Sequence, residues 1–142
     1  MQIQKYMSKI SGPLLDRIDI HLEVPSLPSQ ELLSKGTNES SAEIKSRTGQ
    51  ARQDQHERFQ NSGIFTNAQM SQKQLKKFCT LNQEGQDLMR AAIDELGLSA
   101  RAHDKVLKLA RTIADLDSRA DILPEHIAEA IQYRCLDRNW WG

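Results

Sequence analysis

The sequence predicts an all-α protein, a bundle of roughly five helices preceded by one β-strand without a partner. Two patterns carry that expectation. Residues 41–142 show apolar positions at helical spacing, broken by cap and turn residues at regular intervals. Ile18-Asp19-Ile20-His21-Leu22-Glu23-Val24 instead alternates apolar and polar at every step until Pro25, the period of a half-buried strand. One strand cannot satisfy its own ladder, so its sheet is expected upstream.

Residues 26–40, with Pro28, Gly36 and Asn38, read as a linker. Ser41 to about Gln60 reads as a helix with a thin apolar stripe of Ile44, Ala51 and Phe59. Glu43 with Arg47 and Asp54 with Arg58 are acid-before-base pairs one turn apart. Gly49 weakens that helix by up to about 1 kcal/mol relative to Ala. Asn61-Ser62-Gly63 breaks it, and Ile64, Phe65 and Ala68 are expected as a short buried connector.

Ser71 then caps a short helix through Leu75 and Phe78. Asn82 caps the next, whose face is Leu88, Met89, Ala92, Ile93 and Leu96, with Gly97 as the stop. Ser99 opens the most strongly periodic helix, with Ala102, Val106, Leu109, Ala110, Ile113 and Ala114 on one face as far as Leu116. After a loop, Pro124 sits in a first helical turn, and Ile127, Ala130, Ile131 and Cys135 form the inner face of a last helix before Trp140 and Trp141.

The 142 residues suffice for one domain, with 38% apolar and 27% charged residues suiting helices with much solvated face. Nineteen cations balance nineteen carboxylates, so the surface as a whole is not built to grip nucleic-acid phosphate. Cys79 and Cys135 lie far apart, and His21, His56, His103 and His126 show no ligand spacing. Reduced thiols at core positions and no metal site are expected. No apolar run approaches the roughly 18 residues of a membrane span, and no signal-peptide order opens the chain. A cytoplasmic compartment is the expectation.

No phosphate loop of the G-x-x-x-x-G-K-S/T pattern occurs, and no Ser-His-Asp or Cys-His order stands out. The informative stretch is Ile10-Ser11-Gly12-Pro13-Leu14-Leu15-Asp16-Arg17-Ile18-Asp19-Ile20. It resembles the block near the end of the AAA+ core in Mg-chelatase ATPase subunits and in the related ComM-like and MCM proteins. The resemblance implies that Arg17 is the arginine finger, reaching across a subunit interface to the γ-phosphate of the neighbour's ATP, with Asp16 and Asp19 bracing it. A permanently charged planar fork suits the charge that builds on a transferred phosphoryl group. Read from residue type alone, Arg17 would be an ordinary salt-bridged arginine at a strand start.

A second stretch runs from Leu98-Ser99-Ala100-Arg101-Ala102 through Lys105 to Leu116 and on from Ile122 to Arg134. It is similar to the carboxy-terminal lid of the same family. This similarity implies that Arg101 is the sensor-2 arginine, contacting the phosphates of the nucleotide held by its own subunit. A helix's first turn is already favourable to anions; the bland alternative is a surface cation. Ala51-Arg52-Gln53 with Arg58-Phe59 resembles the family's first lid helix, and Asn67-Ala68 its following turn. Arg111 and Arg134 match weaker positions and read equally well as structural ion pairs.

The resemblance divides the chain into the end of an AAA+ nucleotide-binding core (1–25), a linker (26–40) and a helical lid domain (41–142). It implies a parent that binds ATP and Mg²⁺, assembles into a hexameric ring and acts in DNA processing such as recombination and competence. The segment alone, without Walker A and Walker B elements, is expected neither to bind the nucleotide nor to hydrolyse it. A second branch would instead drive Mg²⁺ insertion into a porphyrin. A reading of another class is a free-standing helical interaction module, which leaves the strand and the two arginine motifs unexplained. A DNA-binding face would have to come from Lys73, Lys76 and Lys77, a cluster that more often forms a solvated surface.

Overall fold

The computed structural model describes residues 12–15, 17–22, 24–26 and 39–134. Asp16, Glu23, Cys135, Trp140, Trp141 and most of the expected linker lie outside the described residues. What is described is helical. A single turn at Gly12–Leu15 is followed by α1 (Ser41–Arg58), a 3-10 turn (Asn67–Gln69), α2 (Gln72–Phe78), α3 (Gln83–Leu96), α4 (Ala100–Leu116) and α5 (Pro124–Gln132). The expected strand over 18–24 has no second strand beside it among the described residues. Its recorded backbone bond runs from His21 N–H to the Tyr133 carbonyl, at 2.9 Å.

Each helix begins where the sequence supplies a partner for its free N–H groups. Ser40 Oγ accepts from Glu43 N, and the Glu43 carboxylate accepts from Ser40 N at 2.7 Å, a capping box. Gln74 reaches back to Ser71 N. Asn82 Oδ1 accepts from Gly85 N at 2.8 Å, and Ser99 Oγ from Ala102 N at 3.1 Å. For α5, Pro124 occupies the first turn and His126 Nδ1 accepts from Leu123 N at 3.0 Å. Gly97 ends α3 with φ 60°, a left-handed geometry that a Cβ would strain.

Helix α4 is the axis of the bundle. It packs against α1, α2, α5 and the 3-10 turn, while α3 packs on α5. Val106, Ala110, Ala114, Ile127 and Ala130 are completely buried, and the three alanines among them leave room for α4 and α5 to pack together. Phe59 at the end of α1 meets Phe78 of α2 edge to face at 5.6 Å. A lone parallel bridge between Leu81 and Ile122 joins the α2–α3 and α4–α5 loops.

Two local expectations are corrected. The connector is not buried through Phe65 and Ala68: Phe65 is 64% exposed and Ala68 is exposed, while Asn67 and Met70 point inward. A 3-10 turn sets this inversion, because its side chains repeat every three residues. The two charge pairs within α1 are also replaced. Glu43 is taken by the cap, so Arg47 reaches Glu39 at 2.7 Å, and Arg58 turns inward to Asp115. A desolvated carboxylate attracts a guanidinium more strongly than a hydrated one at the same spacing.

Candidate functional site

The polar centre of the bundle explains why some charged residues are structural. The Asp115 side chain is 1% exposed and accepts from three neighbours. Arg58 binds it in a two-pronged grip, Nη1 to Oδ2 at 2.7 Å and Nη2 to Oδ1 at 2.5 Å. Arg111 Nε donates to Oδ1 at 3.0 Å, and Asn67 Nδ2 to Oδ2 at 2.8 Å. Arg111 also donates to the carbonyls of Ala120 and Arg119, holding the loop after α4. Burial pushes the Arg111 guanidinium below its ordinary pKa, and Asp115 opposes that shift. The cluster joins α1, the 3-10 turn, α4 and the α4–α5 loop. Arg111, left open between a family position and an ion pair, is a buried ion pair here.

The outward face of α4 is different in kind. Arg101, Asp104, Lys105, Lys108, Leu109 and Thr112 follow one another at helical spacing and line a cleft of about 520 Å³. Its other walls are Arg17, Asp19 and Ile20 on one side and Ala68 on the other. The structure thus brings Arg17 and Arg101, from two separate motifs, onto one surface. Arg17 is exposed in the turn that its own N–H closes on the Leu14 carbonyl at 3.0 Å. Arg101 is exposed in the first turn of α4, beside the positive end of that helix's dipole. Asp16 lies outside the described residues, so its bracing role gains no geometry here.

Four cations and two carboxylates line this cleft, leaving two positive charges in surplus. Asp19 is paired with Lys105 at 2.8 Å, and Asp104 is engaged by Gln72 and by His103 Nδ1 at 3.2 Å. Lys108 Nζ donates to the Ala68 carbonyl at 2.9 Å. Such a surface suits a polyanion. It offers charge and hydrogen-bond donors, not a nucleophile with its base.

Sequence reasoning named Arg17, Asp19 and Arg101 as site residues but not Asp104, Lys105, Lys108 or Thr112, and the structure pairs Asp19 with Lys105. The signal was present as the polar stripe complementary to the apolar face of α4, at Arg101, Lys105, Lys108 and Thr112. Lys73, Lys76 and Lys77 of α2 are exposed and lie outside the cleft. Among the described residues no group of His, Cys, Asp or Glu could hold a metal ion, and no helix is long and apolar enough to cross a membrane.

Residues 38–134 match the family described as magnesium chelatase, subunit ChlI C-terminal, and residues 1–32 match magnesium chelatase, subunit ChlI. The chain is 39% identical over 138 residues to the competence protein ComM of Haemophilus influenzae, and 42% identical over 139 residues to YifB of Escherichia coli. YifB of Salmonella typhimurium is 38% identical over 139 residues. Each alignment covers 96% of this chain but 26% of the relative, so the chain spans about a quarter of their length. By the match over residues 38–134, the chain belongs to the Mg-chelatase-like family and carries its C-terminal helical domain.

Proposed function

We propose that this chain supplies two phosphate-reading arginines to an AAA+ ATPase ring: Arg17 as the trans arginine finger and Arg101 as the sensor-2 arginine. One observation carries the reading. Residues chosen from two motifs at opposite ends of the chain line a single cleft with surplus positive charge. ATP is the substrate, held with its Mg²⁺ by parts of the protein beyond this chain. The cleft fits the phosphates, not the cation, since Asp19 and Asp104 already have partners. Arg17 stabilises the charge that develops on the γ-phosphoryl group, and Arg101 holds the same phosphates in register.

The shared cleft adds a constraint. Two arginines lining one cleft meet the same nucleotide. If Arg17 serves the neighbour's ATP, Arg101 serves it too, in place of the same-subunit contact that the resemblance implies.

The test uses the full-length ATPase. Arg17→Ala lowers hydrolysis by roughly 10³–10⁵-fold while sparing nucleotide binding. Mixing that variant with subunits whose own phosphate loop is disabled restores turnover, because the intact finger of the second subunit serves the active site of the first. Arg101→Ala recovers in the same mixture if it acts in trans and does not if it acts in cis. Normal hydrolysis by Arg17→Ala refutes the finger assignment.

The client we propose is DNA, in recombination or competence, because the identity to the competence protein ComM extends over nearly the whole chain. Stimulation of the ATPase by DNA and not by a porphyrin is the expected result. The reverse result would favour the second branch, Mg²⁺ insertion into porphyrin, to which the family description itself points.

A further inference from the structure

Three contacts tie residues 17–22 to the helical domain. Asp19 Oδ1 pairs with Nζ of Lys105, on α4, at 2.8 Å. The buried Arg134 donates through Nη1 to the Ile18 carbonyl. His21 N–H donates to the Tyr133 carbonyl at 2.9 Å. The anchors are unequal in strength. Asp19 is mostly exposed, whereas the Lys105 side chain is only 16% exposed, and Asp19 is its recorded ion-pair partner. Detaching Asp19 therefore leaves a largely desolvated ammonium behind, which is costly.

Lys105 also lies one helical turn after Arg101, on the same face of α4 and in the same cleft. Arg17 is two residues before Asp19 in the segment so held.

We propose that Lys105 and Arg134 are positioning residues for Arg17, clamping its segment to the helical domain so that a displacement of α4 carries Arg17 with it. The inference rests on the finger reading above and deepens it. Arg101 senses the phosphate at one turn of α4, and Lys105 transmits the movement of that helix to the neighbouring segment. Arg101 and Arg17 are thereby coupled through the first turns of α4 and the ion pair that Lys105 makes there with Asp19.

The experiment uses the full-length ATPase with Lys105→Met, which keeps most of the stem length and removes the charge. The expected result is a fall in kcat of about 10–100-fold, the size of effect that misplacing a reacting group produces, with the KM for ATP unchanged. Two recoveries are expected. Reversing the pair, Lys105→Asp with Asp19→Lys, restores most of the turnover. Mixing Lys105→Met subunits with phosphate-loop-disabled subunits also restores it, because the partner supplies a well-placed finger.

A fall that neither charge reversal nor mixing repairs shows that Lys105 serves its own subunit's fold or nucleotide site, and overturns the proposal. So does normal turnover by Lys105→Met in a protein that Arg17→Ala cripples. If Arg17→Ala itself hydrolyses normally, the finger reading fails first and takes the clamp with it. Amide exchange at His21 reports the same clamp without activity: Lys105→Met accelerates it while the amides of buried α4 stay protected. An unchanged rate at His21 contradicts the clamp.

Discussion

Replacing Asp115 by Ala is the most severe test of how this domain is held together. The carboxylate accepts four hydrogen bonds, two from Arg58, one from Arg111 and one from Asn67. Truncation removes the only carboxylate in a cluster holding two guanidiniums. The Arg58 side chain, 16% exposed, regains part of its hydration, but Arg111 at 4% exposed does not. Removing one partner of a buried pair costs about 3–5 kcal/mol, far more than the same change at a surface pair. For a domain of this size that lowers Tm by roughly 15 °C or more. Urea unfolding followed by far-UV circular dichroism measures the loss directly. Adding Arg111→Met to Asp115→Leu should return part of it, since the more deeply buried guanidinium is no longer stranded while Arg58 keeps some access to water. A loss below about 1 kcal/mol for Asp115→Ala, or strict additivity in the double variant, would refute the cluster as the strut of the fold.

Two further outcomes follow from single positions. Gly49 lies mid-helix in α1 with nothing within 4 Å of where a Cβ would stand, so Gly49→Ala stabilises by about 0.5–1 kcal/mol, read from the urea midpoint; a destabilised variant contradicts the open placement. Burial pushes the Cys79 thiol up from its ordinary 9.0 to about 11, against the pull of Arg111 and Arg58. Its folded pKa is raised, so its contribution is intact below about pH 9 and fades as pH climbs toward 11. Cys79→Ala should flatten that part of the stability profile, and the native thiol should resist alkylation at pH 8 until the protein unfolds.

The helices were legible because their information is local. Ser40, Asn82, Ser99, Gly97 and Pro124 mark boundaries through caps and turns that need only neighbouring residues. The stripe Val106, Ala110 and Ala114 announces the buried face of α4 in the same way. Asp115 was invisible for the opposite reason. In sequence it looks like one more surface acid, and its partners Arg58 and Asn67 are distant along the chain. Arg58 had a plausible local partner in Asp54, and only tertiary burial favours the remote one. The candidate site divides similarly. Motif resemblance singled out Arg17 and Arg101, but nothing in the spacing of the two says that they line one cleft. That fact, together with the Asp19–Lys105 tie, belongs to the packing of one segment against α4.

Helix α1 carries a consequence of its own. Within its span it buries only Ala51 and Gln55, and Phe59 just beyond its end is its one large anchor. Stability is therefore uneven across the domain: α4 and α5 share a dense apolar seam, while α1 is attached chiefly by Phe59 and the Arg58 grip. A helix held this way opens as a unit before the rest. Its departure would wet Asp115 and Asn67 together, so the polar heart of the fold is sealed by a helix with little apolar attachment of its own.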